Sequence, residues 1–214
     1  MAGRAFPSRT PTTREGGVAS QLTDTLPTRL CNMKTATVVA AVASILATTQ
    51  AQLYSLTAIR SGSPIHYLPV NAGNYSLFLG GKSAHYCPES VQEVGGCPNT
   101  ERTNFAGGEG GLSIGAVVPG GQNVYIEPTC GLIKYTQAHS GFILPGSITD
   151  GFNFTQGRSF GTLTAGDGFI ACPDNADGTW SVHAVLPNVT MPDSCLGFEA
   201  IATKDTKAAA WQYT

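Results

Sequence analysis

Turn-forming residues divide most of this chain into short segments, and their spacing limits what the chain can fold into. From Tyr54 onwards, glycine or proline recurs about every eight to twelve residues. Between these breaks, every second residue tends to be apolar. The segments with this alternation are Tyr54–Ala58; Tyr75, Leu77 and Leu79; Val124 and Ile126; Trp180, Val182 and Ala184; and Leu196, Phe198, Ala200 and Ala202. A period of two is typical of strands with one buried face. No window has good helical periodicity, so the sequence predicts an all-β, antiparallel sandwich or closed barrel.

A faint internal repeat leaves a second architecture open. Three segments follow a strand, tight turn, strand pattern and are spaced by roughly 45 residues. They are Tyr75–Cys87, Val124–Tyr135 and Phe169–Val182. Three such units are compatible with a β-trefoil-like barrel. No identical residues recur in register, so this prediction ranks below the sandwich or closed barrel.

The segment from Met33 to Ala51 has the layout of a secretory signal peptide. Lys34 follows the methionine, the run from Thr35 to Thr48 carries no charge, and Thr49-Gln50-Ala51 forms an A-x-A-like cleavage site. The apolar run is too short for a typical membrane span, and a buried internal helix is the alternative. We therefore expect residues 33–51 to be a signal peptide.

Residues 1–32 contain four arginines and many Ser, Thr, Pro and Gly residues, without an apolar period. Such a segment cannot build a core. The simplest interpretation is a non-structural leader produced by an over-extended gene model with Met33 as the true start; a mitochondrial transit peptide is the alternative. Residues 52–214 are then expected to form a single secreted domain.

The charge of residues 52–214 excludes several classes of partner. Seven basic and twelve acidic residues give this segment a formal net charge of −5, and the basic residues form no cluster. Nucleic-acid binding is therefore not expected. We find no second apolar run long enough for a membrane span, and the final residues are too short for the tail of a GPI signal. The expected localisation is secreted.

Five cysteines follow the signal, and an oxidising compartment favours their pairing. Four of them allow three connectivities, among which proximity favours Cys87–Cys97 and Cys172–Cys195. Cys130 has no local partner and lies in a turn bounded by Pro128 and Gly131, where exposure is expected. It is a candidate for an intermolecular disulfide, to a second copy or another protein; a buried, unreactive thiol is the alternative.

No cofactor or metal is expected from the sequence. The cysteines and histidines lack the C-x2-C and H-x3-H spacings of zinc sites. Three sequons follow the signal, and they predict N-glycans on surface turns at Asn74, Asn153 and Asn188.

The chain contains one catalytic motif and one set of aromatic residues that could bind a ligand. Gly111-Leu112-Ser113-Ile114-Gly115 matches the nucleophile elbow G-x-S-x-G. That elbow needs a helix after its serine, whereas a short apolar segment ending at Pro119 follows Ser113, so no catalytic residue is expected. Trp180, Trp211, Tyr125 and Tyr135 would suit stacking on sugar rings if exposed. They support a carbohydrate-binding, lectin-like module as the alternative function.

Several short phrases, taken in order, carry a more specific signal. They are Ser63–His66, Tyr86–Pro88, Val118–Gln122, Thr136–Ser140, Ala171–Pro173, Cys195–Phe198 and Trp211–Thr214. Together they resemble the PhiA family of fungal cell-wall proteins and its IgE-binding members. The resemblance covers nearly all of Leu53–Thr214.

The resemblance implies a secreted, non-enzymatic wall glycoprotein of a filamentous fungus. Members of that family are required for phialide and conidium development, have a suggested role in stress protection, and include allergens. Its expected partners are wall polysaccharides or other wall proteins. The resemblance carries no catalytic residues. The leader and Cys130 depart from the family's pattern.

Overall fold

The computed structural model describes residues 52–98, 100–174 and 178–214. The predicted leader and signal peptide lie outside these ranges. The elements are β1 (Leu53–Ile59), β2 (Val70–Gly73), β3 (Ser76–Leu79), β4 (His85–Tyr86), α1 (Glu89–Glu93), β5 (Asn104–Ile114), β6 (Gln122–Ile126), β7 (Ile133–Tyr135), β8 (Phe152–Gln156), β9 (Gly161–Ala165), β10 (Phe169–Pro173), β11 (Trp180–Ala184), β12 (Leu196–Asp205) and β13 (Gln212–Tyr213).

Nine strands pair antiparallel in a closed circuit. The order is β12, β10, β11, β3, β7, β6, β5, β8, β9 and back to β12. Strand β1 pairs with β12 along its whole length and with the start of β5. Strand β2 forms a hairpin with β3, and β4 pairs with β13 in a separate two-stranded sheet. The prediction of an all-β, antiparallel fold is confirmed, and the closed barrel is the form that the chain adopts.

Strand β5 bends sharply, and glycine makes this possible. It pairs first with β1, then with β8 and finally with β6. At the bend, Gly107 and Gly108 have φ of 100° and 105°. A Cβ at Gly108 would lie 2.5 Å from the Cβ of Phe154. Only glycine combines this backbone with so close an approach, so the glycine-rich stretch before Ser113 is a barrel corner.

Side chains fill the interior of the barrel. The alternating residues predicted to face inwards are largely buried, among them Leu56, Leu77, Val124 and Val182. The void between them is about 10 Å³ and is lined only by apolar residues. A space of this size is at the limit for one water molecule and offers it no polar partner. The interior is therefore a packed core, and any ligand must bind on the outside.

The internal repeat is only partly present. The segments around Val124–Tyr135 and Phe169–Val182 are hairpins, formed by β6 with β7 and by β10 with β11. Tyr75–Cys87 is not a hairpin, because β3 pairs with the preceding strand β2 and β4 pairs with β13 near the end of the chain. The repeat units are thus not equivalent.

A buried asparagine fixes the segment that leads to β13. The side-chain amide of Asn104 donates to the carbonyl of Lys207 at 2.7 Å, and its Oδ1 accepts the N–H of Ala209 at 3.0 Å. The side chain thus satisfies backbone groups as a neighbouring strand would. Residues 207–214 are held against the barrel in this way and reach the β2–β3 turn, where a surface cleft begins.

Candidate functional site

An open cleft lies on the outside of the barrel, next to the β2–β3 turn; we call it the Tyr75 cleft. Its volume is about 220 Å³, and it is lined by Tyr75, Tyr125, Lys134, Tyr135, Thr136, Gln137, Ser140, Phe142 and Leu144. This volume is below the roughly 300–1,000 Å³ of pockets that enclose a drug-sized ligand. The cleft suits one part of a longer molecule.

One wall of the cleft is a strained turn. Asn74 and Tyr75 form the two-residue connection between β2 and β3, with φ of 50° and 57°. Such a connection favours Asn followed by Gly, because both residues need positive φ. A tyrosine in the left-handed region costs about 1–2 kcal/mol. Its ring is 40% exposed, so burial of the ring does not fully account for this residue.

Hydrogen bonds hold this turn in place. The N–H of Asn74 donates to the carbonyl of Thr214 at 2.8 Å, and the carbonyl of Tyr75 accepts the N–H of Tyr135 at 3.1 Å. The hydroxyl of Tyr135 donates to the same Thr214 carbonyl at 3.0 Å. Residues 207–214 and β7 therefore fix the backbone of the turn that carries Tyr75.

The opposite wall is the loop after β7. His139 has a φ of 61°. The N–H of Ser140 donates to the carbonyl of Gln137 at 3.1 Å, and the N–H of Phe142 donates to Ser140 Oγ at 3.2 Å. These bonds order the loop, yet Phe142 remains 69% exposed. Two aromatic rings, Tyr75 and Phe142, are thus presented to solvent at one cleft.

The floor of the cleft corrects one sequence interpretation. Tyr125 and Tyr135 were candidates for stacking on sugars, but their side chains are only 5% and 1% exposed. Burial raises the pKa of both hydroxyls. Trp180 and Trp211 are half-buried and do not line the cleft. The exposed rings at the cleft are instead Tyr75 and Phe142. Alternation placed Tyr75 on the buried face with Leu77 and Leu79, which is wrong because Tyr75 lies in the turn before β3. Alternation gave no signal for Phe142, which lies in the loop after β7.

Ser113 does not form a nucleophile elbow. It lies within β5, and its hydroxyl donates to Asn123 Oδ1 on β6 at 3.2 Å. The chain continues through Gly115, whose N–H donates to the carbonyl of Asn104. A turn, and no helix, precedes β6. Ser113 therefore lacks the strand-to-helix geometry and the histidine contact of that motif.

A serine–histidine contact that the sequence analysis did not identify lies on β11. Ser181 Oγ is 3.0 Å from His183 Nε2, and His183 Nδ1 is 2.9 Å from the carbonyl oxygen of Cys130. Ser181 Oγ also donates to the carbonyl of Cys172 at 3.3 Å. The N–H of Ala184 donates to the carbonyl of Gly131 at 2.8 Å. These bonds together fasten the β6–β7 turn to β11, which explains the pair as a structural anchor. Residues i and i+2 of a strand lie on one face, so the spacing of Ser181 and His183 was the sequence signal that could have predicted their contact.

The thiol of Cys130 is half-buried and engaged in a hydrogen bond. It donates to Glu127 Oε2 at 2.9 Å, and the N–H of Cys130 donates to the same oxygen at 3.2 Å. Partial burial raises the pKa of the thiol, and the bond to Glu127 raises it further. The hydrogen bonds from Cys130 and Thr129 lower the pKa of Glu127 to about 2. A thiol with a raised pKa is a weak nucleophile at neutral pH, which argues against the exposed, reactive Cys130 that its turn predicted.

The other four cysteines form two disulfides within the chain. Cys87 bonds Cys97, and Cys172 bonds Cys195. These are the two pairs that proximity favours. The first closes the loop that contains α1, and the second joins β10 to the start of β12.

The three sequon asparagines are all exposed in the structure: Asn74 in the β2–β3 turn, Asn153 on β8 and Asn188 in the loop after β11. Each is therefore open to glycosylation, which stays a prediction. Among the described residues, no group of three or more His, Cys, Asp or Glu is placed to hold a metal. In the same part of the chain, no helix has the length and apolarity that crossing a membrane requires.

Comparisons with known proteins identify relatives. The sequence profile of the PhiA-like secreted protein family matches residues 54–214. An uncharacterized secreted protein of Arthroderma benhamiae is 36% identical over 158 residues, which cover 69% of this chain and 78% of that relative. No solved structure matches the chain. The family match spans nearly the whole barrel and both walls of the Tyr75 cleft.

Proposed function

Because the chain belongs to the PhiA-like secreted protein family, we propose that it is a non-enzymatic glycoprotein of a fungal cell wall that supports the formation of phialides and conidia. The observation that carries this proposal is the family match over residues 54–214. The relative from Arthroderma benhamiae is likewise described as secreted. Stress protection and recognition by IgE belong to the same proposal, through the resemblance described above.

The surface chemistry supports a role without catalysis. The barrel interior holds no space for a substrate. The elbow serine Ser113 contacts an asparagine, and the serine–histidine pair on β11 fastens a turn. Exposed sequons at Asn74, Asn153 and Asn188 fit a glycoprotein. In this proposal the protein acts by binding at the wall.

Non-covalent retention fits the structure better than a disulfide through Cys130. The thiol donates a hydrogen bond to Glu127 and its pKa is raised, whereas disulfide exchange requires a thiolate. Wall polysaccharide is then the partner that would hold the protein. Carbohydrate binding, the alternative function, becomes part of the same proposal, and the observation that favours it is the pair of exposed rings in the Tyr75 cleft.

Cell fractionation combined with gene deletion tests the proposal. We expect the protein in the wall fraction of sporulating cultures and expect the deletion strain to form fewer phialides and conidia. Cell walls would be washed with detergent and then with detergent plus a reductant, in order to distinguish non-covalent retention from a disulfide through Cys130. Recovery only from the culture medium, together with normal spore formation in the deletion strain, would contradict the proposed function.

A further inference from the structure

We propose that the Tyr75 cleft binds a neutral polysaccharide chain, with pyranose rings stacked on Tyr75 and Phe142. This inference rests on the proposed function at the wall and names the site that would hold the protein there. Aromatic faces are apolar and flat, and they match the C–H faces of pyranose rings whose hydroxyls are equatorial. A polymer of such rings is the ligand class to which the cleft is suited.

Backbone strain coincides with the exposed ring of Tyr75. Tyr75 occupies the turn position that normally takes glycine, with a φ of 57°. His139, in the facing loop, is also left-handed at 61°. Residues in this region persist only when their surroundings hold them there, and they cluster at functional sites. Here the Thr214 carbonyl and the backbone of Tyr135 hold the β2–β3 turn in place.

The polar groups around the two rings suit sugar hydroxyls. Lys134 supplies the only charge among the residues that line the cleft. Three polar side-chain groups at the cleft form no hydrogen bond to another described residue: the ammonium of Lys134, the amide of Gln137 and the hydroxyl of Tyr75. These groups offer donors, and two of them also acceptors, to sugar hydroxyls. An anionic ligand would be expected to meet more than one cation, so the lining favours a neutral one.

A glycan of the chain itself, attached at Asn74, is the nearest competing occupant of the cleft. Asn74 carries a sequon and precedes Tyr75, yet Asn74 lines a different depression, together with Lys82, Asp174 and Ser181. Tyr75 lines the cleft and Asn74 does not. The attachment point of a glycan on Asn74 therefore belongs to a different depression from the two rings, which leaves the cleft available to an external chain.

Binding to purified polysaccharides tests the proposal. Secreted, glycosylated protein would be incubated with insoluble chitin and with β-glucan, and separately titrated with soluble chitin and β-glucan oligosaccharides. We expect retention on at least one polymer. Phe142→Ala and Tyr75→Gly should each weaken binding at least about tenfold, as the loss of a central aromatic contact does. Which polymer retains the protein identifies the source of the sugar chain.

Two matched controls separate stacking from general effects. Phe160→Ala removes a ring that is 50% exposed outside the cleft, and Tyr67→Gly makes the Tyr75 substitution at another exposed left-handed tyrosine, with a φ of 67°. Both control variants should bind as the parent does. Circular dichroism and thermal unfolding would establish that each variant is folded, and Phe142→Ala serves as the second test if Tyr75→Gly is not.

The outcomes are distinct. Absence of binding to both chitin and β-glucan, or equal losses in the cleft variants and the controls, overturns the proposed site. Binding that appears only after Asn74→Gln also overturns it, because the chain's own glycan would then occupy the cleft. If the protein is in the wall fraction but binds no purified polysaccharide, the site is wrong and the proposed function stands. If it is absent from the wall, the proposed function fails whatever the cleft binds.

Discussion

The side-chain amide of Gln122 forms hydrogen bonds with both the N–H and the C=O of Tyr213. Gln122 Oε1 accepts the N–H of Tyr213 at 2.8 Å, and Nε2 donates to the carbonyl of Tyr213 at 3.0 Å. The same Nε2 donates to the carbonyl of Thr136 at 3.0 Å. Gln122 is fully buried. The Gln122 amide thus joins residues 207–214 to the start of the loop after β7, which forms a wall of the Tyr75 cleft.

Replacing Gln122 with alanine should destabilise the protein strongly. Three backbone groups would lose their partner inside the protein, and each such loss costs about 1–3 kcal/mol. We expect the free energy of unfolding to fall by roughly 3–5 kcal/mol, measured by urea denaturation. Gln137→Ala, at an exposed position, is the control and should change it by less than about 0.5 kcal/mol. Similar values for both variants would show that the pairing with Tyr213 contributes little.

Glu127→Gln should make the thiol of Cys130 more reactive. The carboxylate raises the pKa of the thiol, so removing its charge lowers that pKa and increases the thiolate fraction at neutral pH. We expect faster reaction with an aromatic disulfide reagent at pH 7.5 and a rate profile displaced to lower pH. Glu109→Gln, on the exposed side of β5, is the matched control. An unchanged profile for Glu127→Gln would mean that burial alone protects the thiol.

The two disulfides should differ in their effect on stability. A closed loop of either length is worth about 3 kcal/mol on the chain-entropy model. Cys87–Cys97 closes a loop around α1, which has no buried residue, so the Cys87→Ser/Cys97→Ser variant should lose order mainly in that loop. Cys172–Cys195 joins two paired barrel strands, so its removal should lower the midpoint of cooperative unfolding more. Hydrogen exchange combined with thermal unfolding distinguishes local from global loss; equal losses would contradict the prediction.

Tyr75→Gly should leave the barrel close to its original stability. Glycine relieves left-handed strain of about 1–2 kcal/mol, but it loses ring contacts with Tyr135 and gains about 0.5–1 kcal/mol of unfolded-chain entropy. We expect a net change of less than about 1 kcal/mol in urea denaturation. Leu77→Ala, on the buried face of the same hairpin, should cost about 2–5 kcal/mol. A large loss for Tyr75→Gly would assign the ring a structural role.

The secreted protein should begin at Gln52, with or without cyclisation to pyroglutamate. The Thr49-Gln50-Ala51 cleavage site after Met33 motivates this expectation. Mass spectrometry of the N-terminal peptide of purified protein checks it. Peptides from residues 1–32 in that sample would contradict both the start at Met33 and the processing.

The sequence predicted the strands well and the cleft poorly, for one physical reason. Alternation is a local signal, and it identified the buried faces of β1 and β12 because each strand alternates along its own length. The cleft combines the β2–β3 turn with the loop after β7, over sixty residues away, and the barrel alone brings them together. The bend in β5 likewise depends on the approach of Phe154 from β8, which the local sequence of β5 does not reveal.

Cys130 illustrates a different limit. Pro128 and Gly131 correctly indicated a turn, but exposure was inferred from turn residues alone. The carboxylate of Glu127 accepts from both the N–H and the thiol of Cys130, and His183 from a distant strand contacts its carbonyl. The contact between Glu127 and Cys130 spans three residues and could be predicted from the sequence. The contact with His183 could not, because only the fold brings β11 to this turn.

The closed circuit of strands bears on how this protein behaves when it is crowded. An open sheet leaves a row of unpaired N–H and C=O groups that can recruit a strand from another molecule and begin a fibre. The nine strands of the circuit each pair on both sides. At β2, which pairs only with β3, Thr103 Oγ1 accepts the N–H of Ala72 at 2.8 Å. The barrel strands therefore present few unpaired groups to a neighbouring molecule, and we expect the secreted protein to remain folded and separate at high local concentration.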